Sequence, residues 1–404
     1  MTAQKRSFLA VAIAASAVFA LGLGIRNAQP LFISAVNSAT GVGYVALSLA
    51  FGIAQLMWGV AQPVAGAVAD RYGPRPVMVA GTILIAGATA AIPLAHSALA
   101  LTLLIGVAGA IGAGAIGPSL LMASGSRWIP EAKRGLANGI IGAGGSFGQF
   151  TLIPLAQLAI GIAGWQPALI MLGAVGLLAV PLVVYLTHGA KAHAAAQAAS
   201  APGGTLRDAL RAAAGDRSYL LLNAGFFTCG FHVAFIATHL PGYVATCQLP
   251  PSVAAWSLGI VGLFNIAGSL WVGRAIAETR MKIMLSGIYF ARAVLILVFF
   301  FSPKTELAFF LFAAGIGFTY LSTVPPTVGL VAKLHGPRYL ATLFGIVMLS
   351  HQVGGFLGAW LGGKAYAATG SYDWMWWADI ALCLMAAVVH LPIQEARRLA
   401  PTAA

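Results

Sequence analysis

Charged and titratable side chains inside apolar stretches are the residues of this sequence that could do chemistry. Arg26 lies in a long apolar run near the N-terminus, and His232 and His351 lie in similar runs later in the chain. A charge at the depth of a bilayer costs about 3 kcal/mol or more unless it faces a cavity or a partner. A guanidinium binds a carboxylate through paired hydrogen bonds, and a histidine changes charge near neutral pH. We therefore predict that Arg26 binds a substrate carboxylate, and that His232 and His351 bind substrate or carry a coupled proton.

The same residues have structural alternatives. Arg26 could close a contact with helix carbonyls, and a buried histidine is often satisfied by one structural hydrogen bond. Asn265 could donate to a substrate carboxylate or to another helix, and we place Gln352 with it among the substrate-binding candidates. Arg292 and Asp379 are predicted to be structural buried charges. Asp379 could pair with Arg292 or meet water near the outer face.

The composition excludes several classes of protein. Of 404 residues, 60% are hydrophobic and only 8% are charged, whereas soluble domains carry about 25% charged residues. Disordered chains are far less hydrophobic, and outer-membrane barrels alternate polar and apolar residues. Cys229, Cys247 and Cys383 show no paired spacing, so we predict no metal and no cofactor. Phosphate-binding loops, zinc spacings and nucleophile elbows are also absent from the sequence, so we do not expect an enzyme.

Apolar stretches of membrane-spanning length recur throughout the chain and predict an all-α polytopic membrane protein with twelve transmembrane helices. Short segments containing Gly, Pro or charged residues separate them. The predicted spans are 8–35, 43–69, 76–95, 98–124, 135–162, 166–187, 218–245, 252–275, 282–301, 306–332, 339–366 and 373–393.

The positions of the basic residues predict the orientation. If the N-terminus is cytoplasmic, eighteen of the twenty-two Lys and Arg fall on the cytoplasmic side. Lys304 and Lys364 fall outside, and Arg26 and Arg292 fall within spans. This asymmetry predicts cytoplasmic termini in a plasma membrane, the inner membrane if the source is bacterial. The net charge of +13 is then explained by topology and does not imply a nucleic-acid partner.

One long polar segment, 188–217, predicts a cytoplasmic linker between six-helix bundles at 1–187 and 218–404. Moving the second bundle back by 206 positions superimposes several similar residues, which indicates an internal duplication. The matched pairs include Gly24 with Gly230, Arg26 with His232, Gly139 with Gly345, Gly148 with Gly354 and Gly164 with Gly370. Such duplication is typical of transporters that bind substrate between two related bundles.

Glycine rows in spans five and eleven predict close helix contacts with partners in the opposite bundle. The rows are Gly135 and Gly139, Gly144 and Gly148, and Gly354, Gly358 and Gly362.

The loop between spans two and three carries the most specific local motif. Its motif residues are Gly66, Asp70, Arg71, Gly73 and Arg75, and they fit the G-x-x-x-D-R-x-G-x-R gating loop of the major facilitator superfamily. The chain resembles this superfamily over essentially its whole length. The resemblance implies two pseudo-symmetric six-helix bundles, alternating access and a substrate cavity lined in part by span eleven, which contains His351 and Gln352.

Segments around Trp58, Gly230, Asn265 and His351 look like a bacterial branch similar to monocarboxylate transporters and oxalate/formate antiporters. This resemblance implies secondary transport of a small organic anion, a monocarboxylate or an aromatic acid, often with a proton. The expected partners are that anion, the proton and the lipid bilayer, and we expect a monomer. An exporter of hydrophobic or cationic compounds is the alternative, although no carboxylate that would bind a cation in the cavity is evident. A membrane sensor is a third hypothesis.

Overall fold

The computed structural model describes residues 7–118, 120, 121, 124, 129, 134–188, 206–336 and 339–395. All regular secondary structure within these residues is helical. The predicted cations at positions 5, 6, 127, 133, 191, 338, 397 and 398 lie outside them, as does most of the predicted linker.

Six helical spans precede the linker and six follow it, and together they confirm the predicted all-α fold. The first half contains α1 (Phe8–Thr40), α2 (Tyr44–Tyr72), α3 (Pro74–Leu94), α4 (Ala98–Ala115), α5 (Arg134–Ala163) and α6 (Trp165–Thr187). The second half contains α7 (Arg217–Thr246), α8 (Pro251–Ala275), α9 (Met281–Phe301), α10 (Glu306–His335), α11 (Leu340–Thr369) and α12 (Asp373–His390).

Eleven helical segments in the described part of the chain are long and apolar enough to cross a bilayer. The twelfth predicted span is α12, whose 18 residues include Asp373 and Asp379 and are therefore less apolar. Large apolar side chains such as Leu94, Ile162 and Phe301 are exposed on the spans. Because lipid tails solvate such side chains and water does not, the molecule is a multi-pass integral membrane protein.

Several spans are not uniform α-helices. Pro30 lies in a 3-10 turn that interrupts α1 immediately after Ala28. The span α10 consists of helices Glu306–Thr319 and Val324–His335 with an irregular segment between them. Interrupted spans leave backbone groups without helical partners, so other groups must satisfy them. A separate helix, Leu206–Gly215, lies within the segment predicted as a linker.

Equivalent helices are in contact in the two halves, in agreement with the internal duplication. In the first half α1 lies against α5, and in the second half α7 lies against α11. A Cβ atom built on Gly148 would overlap the carbonyl oxygen of Ala20, and one on Gly354 would overlap that of Phe227. Only glycine permits this approach of backbone to backbone.

The predicted partners of the glycine rows are wrong for several positions. Gly144 and Gly148 contact α1, and Gly354, Gly358 and Gly362 contact α7, so each contact lies within one half. The halves instead meet where α2 contacts α11 and where α5 contacts α8. Sequence could not separate these choices, because a glycine row shows that a helix packs closely but not which helix it contacts.

The contact between α2 and α11 covers only part of its length. Gly52 packs against Phe356, and Gly59 packs against Gln352. Gly66 follows Gly59 by seven residues and continues the same helical face. A Cβ atom on Gly66 would meet no atom within 4 Å among the residues described.

The contact between α5 and α8 ends in the same way. A Cβ atom on Gly262 would lie 2.7 Å from the carbonyl oxygen of Ser146. Gly139, seven residues before Ser146, and Gly273, eleven after Gly262, have no neighbour within 4 Å of such an atom in the described chain. In the part of the chain that the structure describes, the halves are therefore in contact at the end bearing the α1–α2 turn and separated at the end bearing the α2–α3 loop.

Candidate functional site

Arg26 lies in the last turn of the regular part of α1, before the 3-10 turn. Its Nη2 donates a hydrogen bond to Oε1 of Gln55 on α2, at 2.5 Å. The guanidinium carbon lies 5.0 Å from the ring centroid of Trp58, a cation–π distance. The Nε atom is buried and has no hydrogen-bond partner among the described residues. Arg26 therefore has neutral neighbours and no carboxylate partner in the described structure.

A cleft beside Arg26 is built by both halves of the molecule. Helices α1 to α4 form most of its wall, and α7 contributes Ala237 and Thr238. Its other polar lining residues are Asn27, Gln29 and Gln55. None of the described lining residues is Asp or Glu, so the one charge in the cleft wall is the guanidinium. The cleft favours an anion for this reason.

Asn27 connects the cleft to the contact between the halves. Its Nδ2 donates to Oε1 of Gln149 on α5 at 3.1 Å, and Nε2 of Gln149 donates to the carbonyl oxygen of Leu258 on α8 at 2.9 Å. Asn27 was not among the predicted site residues. The sequence signal for Gln55, Thr238 and Gln149 was that each is a polar residue within an apolar span. Other amides and hydroxyls in the spans give the same signal, so the sequence could not single out these three.

His232 lies away from the cleft, inside the second half. Its side chain is fully buried, and Nδ1 lies 2.6 Å from Oδ2 of Asp379 on α12. The other carboxylate oxygen of Asp379, Oδ1, accepts a hydrogen bond from Sγ of Cys383 at 3.7 Å. Neither predicted environment of Asp379 is correct, because its fully buried carboxylate pairs with His232 and forms no ion pair with Arg292 in the described structure. The histidine that it contacts is the one that the sequence predicts to bind substrate or to carry a coupled proton.

The side chains of His232, Asp379 and Cys383 also place their potential ligand atoms within 4.8 Å of one another. Two ligands of a tetrahedral zinc ion would be separated by about 3.3 Å at ordinary bond lengths. The separation of 2.6 Å between Nδ1 and Oδ2 is instead that of a hydrogen bond. The arrangement is a hydrogen-bonded dyad with a thiol beside it.

Arg292 lies at the interruption of α10. Its Nη2 donates to the carbonyl oxygens of Thr319 and Tyr320, the residues at which the first part of α10 ends. The guanidinium also lies over the ring of Tyr289, 5.1 Å from its centroid. These contacts satisfy carbonyls that the helix leaves unpaired and support the predicted structural role, which stays a prediction.

Asn265 joins three helices through its amide. Its Nδ2 donates to Oγ of Ser146 on α5 at 2.8 Å, while Oδ1 accepts from the backbone N–H of Leu321 on α10 at 2.9 Å and from Ser269. This geometry favours the helix-to-helix alternative that the sequence left open, because both ends of the amide already have protein partners.

His351 and Gln352 lie on α11 in different surroundings. The His351 ring packs against Phe226 of α7, with centroids 5.1 Å apart, and its Nδ1 is buried without a partner among the described residues. Gln352 packs against Gly59 across the contact between the halves. Its Oε1 and Nε2 are both buried and lack described partners. Of the five predicted substrate-binding residues, only Arg26 lines the cleft.

The predicted gating loop lies at the separated end of the molecule. Gly73 ends α2 and precedes α3 with φ of 91°, a conformation that favours glycine. Arg71 and Arg75 are exposed, and Arg71 lies over the ring of Tyr72 at 5.3 Å. Gly66 faces open space, and the side chain of Asp70 lies outside the described part. The gating role stays a prediction.

Two six-helix halves that share a cleft, in a multi-pass membrane protein, are typical of membrane transporters. The model of the Major Facilitator Superfamily matches residues 14–359. The chain therefore belongs to the Major Facilitator Superfamily, and it is a transporter.

Its relatives include both bacterial and mammalian transporters. The uncharacterized MFS-type transporter YcxA of Bacillus subtilis is 27% identical over 93% of this chain and 92% of its own length. Monocarboxylate transporter 13 of Bos taurus is 26% identical over 80% of this chain and 73% of its own. The oxalate:formate antiporter of Oxalobacter formigenes is 30% identical, over 40% of this chain and 38% of its own.

A solved structure with a similar fold is the bacterial homolog of the human lysosomal transporter Spinster, in an inward-facing and unoccupied conformation. It superimposes with a TM-score of 0.76 over 96% of this chain and 97% of its own, at 15% sequence identity. At that identity the likeness shows the fold alone.

Proposed function

We propose that this transporter moves a small organic anion, a monocarboxylate or an aromatic acid, and that Arg26 binds its carboxylate. The observation that carries the proposal is a guanidinium in a cleft shared by both halves, with no carboxylate partner in the described structure. An uncompensated charge in a membrane interior is costly, and an anionic substrate would supply the missing charge. The names of the monocarboxylate and oxalate:formate relatives support the same class of substrate.

The neighbours of Arg26 orient it for this task. Gln55 holds Nη2, and the Trp58 ring restricts the guanidinium plane, while Nε stays available. A carboxylate binds such a group in the plane of its nitrogens. Thr238 and Ala237, from the opposite half, face the same space, so a bound anion would contact both halves. We also propose that Gln352 joins the site during the transport cycle, since its buried amide has no described partner in this state.

The state of the molecule supports a direction of opening. The halves separate at the end with the α2–α3 loop, which the basic residues predict to be cytoplasmic. We therefore propose that this conformation faces the cytoplasm, with both termini on that side. Since one chain supplies the whole cleft, we propose that the monomer is the transporting unit.

Uptake into proteoliposomes tests the substrate class. The probes are radiolabelled formate, lactate, oxalate and benzoate, together with a fluorescent cationic dye, offered to the intact protein and to Arg26→Ala. We expect saturable uptake of a carboxylate by the intact protein and a fall of roughly 10- to 100-fold in Arg26→Ala, because a charge-assisted hydrogen bond contributes about 1.5–3 kcal/mol.

Lys364→Gln is the matched control, because it removes an exposed cation outside the cleft. It should transport like the intact protein. Equal carboxylate uptake by the Arg26→Ala variant would show that Arg26 does not bind the anion. Dye movement without carboxylate movement in both proteins would replace the proposal with the exporter alternative.

A further inference from the structure

We propose that His232 and Asp379 form the proton-binding site of this transporter, away from the cleft that holds the anion. This inference rests on the proposed function, because the proton would accompany the organic anion. Both side chains are fully buried, and their 2.6 Å contact joins α7 to α12. Asp379 is thereby assigned to proton coupling, whereas the sequence predicted a structural charge. Of the two predicted proton-coupling histidines, His232 is the one that takes this role.

The contacts define where the proton binds. An ionised Asp379 can only accept hydrogen bonds, so Nδ1 of His232 must donate and carry the imidazole hydrogen. The lone pair of the neutral ring is then on Nε2, which is buried and has no hydrogen-bond partner among the described residues. A proton entering the site forms an N–H bond at Nε2 and gives an imidazolium. The Asp379 carboxylate stabilises that cation, as in a histidine–carboxylate pair of an enzyme.

The surrounding charges make this change possible inside a membrane. Arg292 on α9 donates to the backbone of Tyr320, and the Tyr320 ring lies edge-on to His232, with centroids 6.4 Å apart. The positive charge of Arg292 and the negative charge of Asp379 leave this region neutral before protonation and singly positive after it. Among the described titratable groups, Cys383 donates to Asp379, Cys229 donates to the carbonyl oxygen of Tyr320, and the Tyr289 ring lies beside Arg292. His351 packs against Phe226, and His390 stacks on Tyr289.

His351 lacks the feature that qualifies His232. Its ring packs on Phe226, and none of the ion pairs found in the described structure includes it. An imidazolium at that position would have no carboxylate counter-ion among the described residues, and an unpaired buried charge is costly. His239 is likewise buried, with Nε2 at 2.6 Å from the carbonyl oxygen of Ala359 and no carboxylate contact.

The helix α7 connects the dyad to the cleft. Thr238 lines the cleft and follows His232 by six residues, a rise of about 9 Å along the helix. The Tyr320 hydroxyl donates to the carbonyl oxygen of Val233 at 3.0 Å, so the interruption of α10 is attached to the same part of α7. Opposite charges about this far apart favour each other's binding by on the order of tenfold. Anion and proton would thus bind cooperatively from two separate places.

The test compares gradient-driven accumulation with exchange in proteoliposomes, using labelled lactate and oxalate as probes. His232→Asn retains an amide near the position of Nδ1 but removes Nε2, and Asp379→Asn removes the carboxylate. We expect each variant to accumulate the anion at least about tenfold less under an inward acid gradient, while exchange of labelled for unlabelled anion, measured at saturating anion on both sides, stays within about twofold. His239→Asn is the matched control and should respond to the gradient like the intact protein.

Full gradient-driven accumulation in both dyad variants would overturn the proposal. Should the asparagine variants not fold, His232→Gln serves as the second variant. Infrared pH-difference spectra of the intact protein, recorded without any anion, must show histidine and carboxylate bands that change together. Their absence also overturns the proposal, and this readout holds even if no tested carboxylate is transported. Lack of carboxylate uptake by the intact protein would instead contradict the proposed function alone.

Discussion

Arg26 and His232 occupy corresponding positions in the two halves of the molecule and have different surroundings. Both follow a glycine by two residues, Gly24 and Gly230, at which the helix lies against the backbone of its partner. Arg26 faces a cleft and has only neutral partners. His232 is sealed in its own half against Asp379. The halves thus share a scaffold but differ in chemistry at its centre.

The difference teaches how a duplicated fold can separate two tasks. A guanidinium keeps its charge at every physiological pH and suits recognition of an anion. An imidazole can take up and release a proton, and a neighbouring carboxylate can stabilise the resulting cation, so this pair suits a proton. If both groups lined one cavity, water and substrate would compete for the proton. The histidine lies on the face of α7 that contacts Asp379 of α12, away from the cleft, and this placement prevents the competition.

The largest expected effect is the loss of stability on substituting the glycines at which α5 packs against α1 and α11 packs against α7. Gly148→Ala and Gly354→Ala each place a methyl group on a backbone carbonyl of the neighbouring helix, and we expect each to destabilise the protein by about 1–3 kcal/mol or more. The corresponding controls, Gly139→Ala and Gly345→Ala, face open space and should leave the melting temperature unchanged. Thermal unfolding in detergent measures all four. Equal melting temperatures would show that the halves do not depend on these contacts.

Exchanging the chemistry at Arg26 tests the division of tasks. In the Arg26→His variant the cleft keeps a nitrogen hydrogen-bond donor, but the imidazole is positively charged only at acidic pH. We expect transport of the carboxylate at neutral pH to fall roughly 10- to 100-fold and to recover in part near pH 5, where imidazole is protonated. Uptake measured across this pH range checks the prediction. Activity at neutral pH equal to that of the intact protein would remove the need for a fixed cation.

The two contacts between the halves differ in a smaller way. Asn265 and Ser146 share a hydrogen bond between α8 and α5, whereas the corresponding residues Gly59 and Gln352 make no such bond. Asn265→Leu should lower stability by about 1–2 kcal/mol, because Ser146 and the N–H of Leu321 lose their partner. Gln352→Leu should leave stability unchanged or higher while reducing carboxylate uptake. Unfolding and uptake measured on both variants distinguish these outcomes, and equal destabilisation would contradict the comparison.

The smallest expected effect is on stability and concerns Glu395, which follows α12 and contacts Lys333, Met281 and Lys282. Burial alone would raise the pKa of Glu395, but hydrogen bonds from Lys333 and from the N–H groups of Met281 and Lys282 lower it overall. These hydrogen bonds stabilise the folded protein fully at pH values above the pKa of Glu395 in the unfolded chain, which is about 4.3. Their contribution is lost as the pH falls through the lower pKa of Glu395 in the folded protein.

Because Lys333 is 44% exposed, solvent screening limits the stabilisation to less than about 1 kcal/mol. Glu395→Gln should therefore melt slightly below the intact protein at pH 7, and the difference should disappear near pH 3. A difference that persists at low pH would show that packing, and not charge, is responsible.

Local pattern was sufficient for much of this protein. Runs of apolar residues predicted the spans because each must cross the hydrocarbon alone, and the offset of 206 residues indicated an internal duplication. Arg26 could be selected from sequence because a charged side chain in an apolar span needs a cavity or a partner, whatever the position of its helix in the fold. The irregular segment in α10 was not predicted, since its backbone groups are satisfied by Arg292 and Asn265 from other helices.

The sequence by itself determined a duplicated, all-helical membrane protein with one fixed charge in its first span. Only the tertiary structure decided that Asp379 pairs with His232, which lies 147 residues earlier, that Asn265 bridges helices, and that the cleft takes its far wall from α7. The physical reason is that helix periodicity identifies a packed face, whereas the partner of that face depends on how separate helices assemble.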